Sequence, residues 1–390
     1  MPLDPQSLYA SLLARGFRAF TGVPCSILDP LIIEAEASPE VDYLPASVEG
    51  EAVAAAAGAW LAGSRGVVLL QNSGLGNAIN PLATLAIPYR IPLLLISSWR
   101  GEPGREDAVH HHPMGAATPG LLGLFDIPVT VLREDTDLDT SVAEALSHMT
   151  RTRLPAALIV PRGIFAKRAA APDVRSMPPS EDFGRGAVEV ARFGHGSLPT
   201  RSAALRAFLA HRGDAAVVST TGYMSRELSA HLCERFFPMQ GSMGFALAIA
   251  LGIASIQRER PLFVLDGDGA LIMRLGSLAS TGAAHPSHLV HIVFDNAIYA
   301  STGGQKTVSP SIDFPGVAAH CGYRRVASCQ GSDGLEKAML WAAEAVGSGP
   351  ALLHVAIDRT EAQKLDRPDL TPPEIAENFR AFLTRGGGIP

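Results

Sequence analysis

Two short apolar runs, each followed at once by acidic or amide side chains, constrain the fold of this chain more than any other feature. Leu262–Leu265 precedes the motif Asp266-Gly267-Asp268-Gly269, and Leu289–Phe294 precedes Asp295-Asn296. The intervening segment is long enough for a crossover helix, which parallel strands require. Because the carboxyl ends of parallel strands meet at one edge of a sheet, the sequence predicts that both motifs lie together there.

The residue types at this edge indicate a particular ligand chemistry. Asp268 and Asn296 can each give one oxygen to a hard cation, and Gly267 and Gly269 allow a bulky anion to approach the backbone. Mg²⁺ prefers six oxygen ligands, so a site with few protein ligands needs further oxygens from a phosphate. The motif therefore predicts a site for Mg²⁺ and a diphosphate.

Composition limits the class of protein. The 390 residues are 47% apolar and 18% charged, with a formal net charge of −6, which argues against nucleic acid or an anionic membrane as the main partner. We expect a cytoplasmic protein, because no signal peptide or membrane span is evident and the cysteines have no metal-ligand spacing. The four cysteines are Cys25, Cys233, Cys321 and Cys329.

Alternation of strand-like and helix-like segments predicts an α/β protein with two doubly wound, mostly parallel-sheet domains. We expect these domains at 1–167 and 200–390, with a Pro- and Gly-containing linker at 168–199. The predicted strands of the first half are Ala19–Thr21, Val41–Pro45, Gly66–Gln71, Pro92–Ser97, Pro128–Leu132 and Ala157–Val160, and Glu49–Leu61 and Asn77–Ala86 are predicted helices. In the second half we expect strands at Ala216–Ser219, Leu262–Leu265, Leu289–Phe294, Arg325–Ala327 and Ala351–Ile357. Within the segment Gly241–Ile253 we expect a turn at 241–244 followed by a helix at Phe245–Ile253, and the terminal helix is expected at Glu374–Thr384.

Several residues allow a structural and a functional interpretation. Glu49 could simply favour a helix N-terminus, and Met243 could fill a core. The Thr220-Thr221-Gly222 turn could cap a helix or bind an anion. Asn72 opens a glycine-bearing turn that has neither a Walker lysine nor a Rossmann spacing. Because no GxGxxG motif opens the first βα unit, a plain Rossmann dehydrogenase is disfavoured.

Motifs distributed along almost the whole chain resemble the thiamine-diphosphate (ThDP) enzymes. Within these, the chain is similar to the family of phosphonopyruvate and sulfopyruvate decarboxylases. The motifs are GDG with its downstream Asn, TGVPCS (21–26), QNSGLGNAINPL (71–82), WRGEPG (99–104), TTGYMSREL (220–228), GSMG (241–244) and STGGQKTVS (301–309).

The resemblance implies a pyrimidine-binding domain followed directly by a diphosphate-binding domain, with no middle domain. It implies that Glu49 bonds N1′ of the cofactor's aminopyrimidine, and that Met243 holds the cofactor in a bent conformation. The residues implied to bind ThDP are Glu49, Asn72, Thr220, Thr221, Gly241, Ser242, Met243, Gly267, Asp268, Gly269, Ala270 and Asn296, and those implied to bind Mg²⁺ are Asp268, Asn296 and Ile298. Glu51 is expected on another helical face, as a surface or interface residue.

The implied reaction is decarboxylation of 3-phosphonopyruvate to phosphonoacetaldehyde, with sulfopyruvate to sulfoacetaldehyde or a non-catalytic ThDP-binding homologue as alternatives. The segment 112–115, HPMG, looks more like the sulfopyruvate branch. Ser26 and His111 are candidates for proton handling, although a loop His is often only solvated. A distal phosphonate or sulfonate needs cations or hydrogen-bond donors; the candidates are Ser26, Arg100, Arg105, Ser301, Thr302, Lys306 and Arg367. Taken singly, each of these cations could be a surface charge. The resemblance also implies a homodimer or larger homo-oligomer with active sites between subunits.

Overall fold

The computed structural model describes residues 2–166, 188–231, 234–360, 365–366 and 368–385. The chain divides into two compact units, Met1–Ser176 and Met177–Pro390. No helix of the described residues combines the length and the apolar character that a membrane span needs.

The first unit is built on a six-stranded parallel sheet with the order β2-β1-β3-β4-β6-β5. Its central strands β3, β4 and β6 are almost completely buried, as expected for a sheet that is covered on both faces. The strands are β1 (Phe17–Gly22), β2 (Asp42–Pro45), β3 (Arg65–Gln71), β4 (Leu94–Trp99), β5 (Val129–Val131) and β6 (Ala156–Pro161). The helices are α1 (Pro5–Ala14), α2 (Asp29–Ala37), α3 (Glu49–Leu61), α4 (Leu75–Pro81), α5 (His112–Gly123) and α6 (Leu138–Thr152).

Helix α3 places Glu49 at the carboxyl edge of this sheet. All of its residues are buried, and its small side chains allow close packing on the strands. A Cβ added at Gly66 of β3 would lie only 2.9 Å from the Cβ of Ala56, so neither position has room for a larger residue. Since α3 follows β2 directly, its first turn begins where the parallel strands end.

The second unit contains a seven-stranded parallel sheet with the order β7-β14-β15-β11-β10-β8-β9, and a separate antiparallel pair, β12 and β13. The strands are β7 (Glu189–Phe193), β8 (Ala216–Ser219), β9 (Phe236–Pro238), β10 (Leu262–Gly267), β11 (Leu289–Asp295), β12 (Ile298–Tyr299), β13 (Gln305–Lys306), β14 (Arg325–Cys329) and β15 (Ala351–Ala356). The helices are α7 (Arg201–His211), α8 (Tyr223–Ser229), α9 (Ala246–Ile256), α10 (Asp268–Met273), α11 (Ser277–Ala284), α12 (Phe314–His320), α13 (Leu335–Glu344) and α14 (Pro372–Thr384).

The predicted fold class of two doubly wound, mostly parallel-sheet domains is confirmed. In particular, β10 and β11 pair in parallel with Leu262 opposite Leu289, so the two polar motifs end side by side.

Two local differences from the sequence-based expectations have physical causes. Strand β7 lies inside the segment expected as linker; it is an edge strand that pairs with β14, and only Ala191 and Phe193 of its residues pack against the core. The helix expected at Asn77–Ala86 is α4 followed by a π-helical turn at Leu82–Ala86. Helix α9 begins at Ala246, within one residue of the expected start, after a turn in which Ser242 and Gly244 adopt left-handed backbone conformations with φ of 56° and 91°.

Candidate active site

One pocket of the second unit lies at the carboxyl edge of β8, β10 and β11. Three turns line it: the one after β8, the one between β10 and α10, and the one after β11. The sequence-predicted residues among its walls are Thr220, Thr221, Met243, Gly267, Asp268, Gly269, Ala270, Asn296, Ile298 and Ser301. Most of the predicted cofactor residues of this half are therefore brought together.

Asp268 is the buried acid of this pocket, with only 3% of its surface exposed. Its Oδ2 accepts a hydrogen bond of 2.5 Å from Thr307 Oγ1. Burial raises the pKa of this carboxyl, and the bond from Thr307 opposes that effect. A carboxylate that is taken out of water in this way is suited to a site where a cation restores the lost stabilisation.

The turn after β11 presents oxygens beside Asp268. The side-chain oxygen of Asn296 accepts a bond of 3.1 Å from the Ile298 N–H, and Ala297 between them has a left-handed φ of 58°. The Ala297 carbonyl accepts a bond from the Thr307 N–H at 3.0 Å. This compact turn gives the Asn296 side chain and the Ile298 backbone a fixed place next to the pocket.

The two glycines of the GDG motif are needed for different structural reasons. A Cβ at Gly267 would meet nothing within 4 Å, so its backbone borders open space in the pocket. A Cβ at Gly269 would lie 2.3 Å from Cε1 of Tyr299, so this glycine lets the Tyr299 ring approach the backbone. Thr220 adds a buried hydroxyl oxygen for which the described residues offer no hydrogen-bond partner. An open glycine, an unpartnered hydroxyl and a buried carboxylate together fit an anion bound through a hard cation.

Met243 reaches the pocket from a strained turn. Ser242, which precedes Met243, is buried and has a positive φ. A Cβ added at Gly244, which follows Met243, would lie only 3.0–3.2 Å from atoms of α10. The turn thereby projects the half-buried Met243 side chain into the pocket. Gly241 and Ser242 hold this turn but are not among the residues that line the pocket.

Thr302 and Lys306, which the sequence analysis assigns to the substrate, lie beside the pocket and not in its wall. Both are exposed on the hairpin formed by β12 and β13, where Lys306 is opposite Ile298. Lys306 forms no ion pair with any residue that the structure describes.

Sequence reasoning missed other residues of the pocket wall. Tyr299 belongs to the same turn as Asn296, so its position could have been inferred from that motif. Arg201 comes from the start of α7, ion-paired to Glu227 at 2.9 Å with its guanidinium over the Tyr223 ring. Nothing in the local sequence around Arg201 indicates this placement, because α7 precedes the first strand of the pocket.

In the first unit, Glu49 is buried at the beginning of α3. Its Oε2 accepts a bond of 2.8 Å from the Asn77 amide. A Cβ at Gly74 would lie 1.8 Å from Oε1, so Gly74 makes room for this carboxylate. The glycine-bearing turn after β3 therefore has a definite structural reason, which is to accommodate Glu49.

Glu51 is a correction to the sequence analysis, because it is not a surface residue. It is only 1% exposed, and its Oε2 accepts bonds from the backbone N–H and the hydroxyl of Ser47. A Glu at this position ties the first turn of the helix to the preceding residues, and this fixes the start of α3 at Glu49.

Asn72 and Arg100 are engaged inside the first unit. The Asn72 side chain is fully buried, accepts from the Arg100 N–H at 2.8 Å, and donates to the Arg100 carbonyl and to Thr118. These bonds use both ends of its amide, which favours a structural role over cofactor binding. The Arg100 guanidinium forms two bonds with Asp107, at 2.6 and 2.8 Å, and Arg105 is ion-paired to Glu102 at 3.0 Å. Arg367 lies outside the described residues.

His111 is buried, although the sequence places it in a run of three histidines. Its Nδ1 lies 3.1 Å from Ser73 Oγ, which in turn accepts a bond from the Gln71 amide. Burial lowers the pKa of His111, and the positive charge of Arg100 lowers it further. Ser26 is exposed in the turn after β1, which ends at the same sheet edge.

The charge interaction between Arg100 and His111 leads to a prediction. We expect Arg100→Gln to raise the pKa of His111, because the repulsive cation is removed while the nearby Asp107 carboxylate, which favours the protonated ring, remains. NMR titration of the histidine Cε1–H signals measures this, with His111→Gln to assign the resonance. Arg105→Gln is the matched control and should leave the titration unchanged; equal shifts in both variants would contradict the electrostatic explanation.

Comparisons with known proteins agree with this arrangement. The model "Thiamine pyrophosphate enzyme, N-terminal TPP binding domain" matches residues 6–118, and its C-terminal TPP binding domain counterpart matches 216–355; thiamine pyrophosphate (TPP) is another name for ThDP. A phosphonopyruvate decarboxylase from Streptomyces viridochromogenes is 44% identical over 97% of this chain and 94% of its own length.

A more distant relative and a solved structure place this likeness in context. A sulfopyruvate decarboxylase from Methanosarcina acetivorans is 31% identical over 81% of this chain and 82% of its own length. The crystal structure of a benzoylformate decarboxylase from Polynucleobacter necessarius has the same fold at 12% identity, with a TM-score of 0.70 over 93% of this chain and 100% of that one. The chain thus belongs to the phosphonopyruvate decarboxylase family of thiamine pyrophosphate enzymes.

Proposed function

We propose that this carboxy-lyase uses ThDP and Mg²⁺ to convert 3-phosphonopyruvate and a proton into phosphonoacetaldehyde and CO₂. The observation that carries the choice of substrate is the 44% identity to a phosphonopyruvate decarboxylase across nearly both whole chains. The sulfopyruvate decarboxylase relative is less similar, at 31% identity over a shorter span.

The pocket of the second unit supports the cofactor part of the proposal. Asp268, Asn296 and the backbone carbonyl of Ile298 would hold Mg²⁺, and the open backbone at Gly267 leaves space for a diphosphate. The unpartnered Thr220 hydroxyl would give a hydrogen bond to the same anion. When bound, ThDP supplies a thiazolium ring that accepts the electron pair left behind as CO₂ departs.

Side chains of the first unit would move the protons of the reaction. Glu49 is a carboxylate that Asn77 holds in place at a helix N-terminus, as a group that bonds the aminopyrimidine and exchanges a proton with it requires. His111 has a lowered pKa and is therefore neutral near pH 7, a form that can both donate and accept a proton. We propose Glu49 as the activating acid–base group and His111 and Ser26 as the residues that handle substrate protons.

Fewer cations are available to bind the distal anion than the sequence alone suggests. Arg100 is already paired with Asp107, and Arg105 shares Glu102 with Arg133. Lys306 is exposed without an ion pair among the described residues, and its strand partner Ile298 lines the pocket. We therefore propose Lys306, together with Ser301 and Thr302 of the same hairpin, for the phosphonate. Sulfopyruvate is the second candidate substrate, and the 31% identical relative supports it. Its sulfonate carries about one negative charge less than a phosphonate near neutral pH.

The activity itself is the first test. We expect CO₂ release from phosphonopyruvate to exceed that from pyruvate by on the order of 10² in kcat/KM, because a charged group left without its partner costs about 1.5–3 kcal/mol. Sulfopyruvate should be intermediate.

Glu49→Gln should retain the fold by circular dichroism but lose nearly all turnover; a variant that exchanges the cofactor's C2 proton at the wild-type rate would show that Glu49 has another role.

Lys306 can be tested by comparing substrates within one variant. Lys306→Ala should lower kcat/KM for phosphonopyruvate about tenfold or more and leave the value for pyruvate nearly unchanged. Lys337→Ala is the matched control, because it removes the same charge from an exposed position on α13. Equal losses on both substrates would assign Lys306 a role that does not involve the distal anion.

We also propose that the chain forms a homodimer or a larger homo-oligomer. The proposal rests on the family resemblance, since the pyrimidine-binding and diphosphate-binding domains of such enzymes meet between subunits. Light scattering at assay concentration should give at least twice the mass of one chain, which is 41.0 kDa. A fully active species with the mass of a single chain would refute it.

A further inference from the structure

The two carboxylate oxygens of Asp268 are not equivalent. Thr307 Oγ1 donates to Oδ2 at 2.5 Å, and both side chains are buried, with 3% of Asp268 and 8% of Thr307 exposed. A hydroxyl has one proton, and the other oxygen near Thr307, Ser309 Oγ, is farther away at 3.1 Å. The Thr307 proton is therefore committed to Oδ2 of Asp268.

Neighbouring contacts hold Thr307 in this orientation. Its N–H donates to the Ala297 carbonyl at 3.0 Å, which ties the end of the β12–β13 hairpin to the turn that carries Asn296. The Ser309 N–H donates back to Thr307 Oγ1 at 3.3 Å, and the Ser309 hydroxyl donates to Asp295 at 2.7 Å. Rotation of Thr307 away from Asp268 would therefore break the bond to this carboxylate and the bond from the Ser309 N–H.

This arrangement has a consequence for how Asp268 can bind a cation. A carboxylate binds a cation in bidentate fashion only if both of its oxygens face the ion. Mg²⁺ demands near-octahedral geometry with single oxygens at about 2.0–2.1 Å, whereas Ca²⁺ takes about 6–8 oxygens and readily accepts bidentate carboxylates. An Oδ2 that already accepts a bond from a buried hydroxyl is a poorer cation ligand, so this bond favours binding of the cation through Oδ1 alone.

We propose that Thr307 is a positioning residue that keeps Asp268 monodentate and thereby favours Mg²⁺ over Ca²⁺. The inference rests on the proposed role of Asp268 as a cation ligand. It differs from a purely structural role for Thr307, because loosening the hairpin would weaken binding of both cations by a similar factor. Loss of the hydroxyl bond should instead change the ratio of the two affinities.

The test compares cation binding, not turnover. Calorimetric titrations of Mg²⁺ and of Ca²⁺ into metal-free protein with saturating ThDP give both dissociation constants. Thr307→Val, which keeps the shape and removes the hydroxyl, should reduce the preference for Mg²⁺ over Ca²⁺ about tenfold or more. Thr307→Ser, which keeps the hydroxyl, should stay within about threefold of the wild-type ratio.

Ser311→Ala is the matched control on the same segment. Among the residues that the structure describes, its exposed hydroxyl donates only to the Val308 carbonyl, at 2.7 Å, so the ratio should not change. An unchanged ratio in Thr307→Val would overturn the proposal for Thr307. If instead Asp268→Ala binds both cations like the wild type, the cation site itself is wrong and the proposed function loses that support.

A direct structural measurement covers the case in which Thr307→Val does not fold. A crystal structure of the wild-type holoenzyme with ThDP and Mg²⁺ should place one Asp268 oxygen at about 2.0–2.1 Å from the ion and the other on Thr307. Both Asp268 oxygens on the ion, or a Thr307 hydroxyl turned away from Asp268, would refute the proposal.

Discussion

The parallel pairing of β10 with β11 is the constraint on which the candidate site depends. Leu262 lies opposite Leu289, and the register continues to Gly267 opposite Phe294, so Asp268 and the pair Asp295-Asn296 leave the sheet at the same edge. Both strands are buried on both faces, and a shift of one residue would turn every side chain of a strand to the opposite face. The apolar runs that bury both strands therefore also fix the distance between the candidate ligands.

Two buried acids side by side show how local bonds separate chemical roles. Asp268 and Asp295 follow or end neighbouring strands, and burial acts to raise the pKa of both. At Asp295 the bonds from His354 and Ser309 outweigh burial and lower the pKa, so this carboxylate is stabilised within the protein. At Asp268 the bond from Thr307 does not outweigh burial and the pKa stays raised, which leaves Asp268 as the acid that an external cation can stabilise.

Charged residues near the first unit's sheet edge are used mainly inside the protein. Arg100 holds Asp107, Arg105 holds Glu102, and the nearby charge of Arg100 helps to keep His111 neutral. A sequence motif shows that a cation is present, but it does not show that this cation is paired with an acidic side chain in the folded protein. For this reason, the list of cations available to a distal anion could be shortened only with the structure.

The sequence by itself determined the two parallel-sheet domains and the crossover that brings Asp268 and Asn296 to one sheet edge, because apolar runs and turn residues act over short distances. The resemblance to ThDP enzymes added Thr220 and Met243 to this group. Only the tertiary structure decided that Glu51 is buried, that Asn72 is bonded within its own unit, and that β7 joins a sheet. It also paired Thr307 with Asp268 across 39 positions. These features depend on contacts between residues that are distant in the chain, and no local pattern of hydrophobicity or charge encodes which of two polar groups will meet.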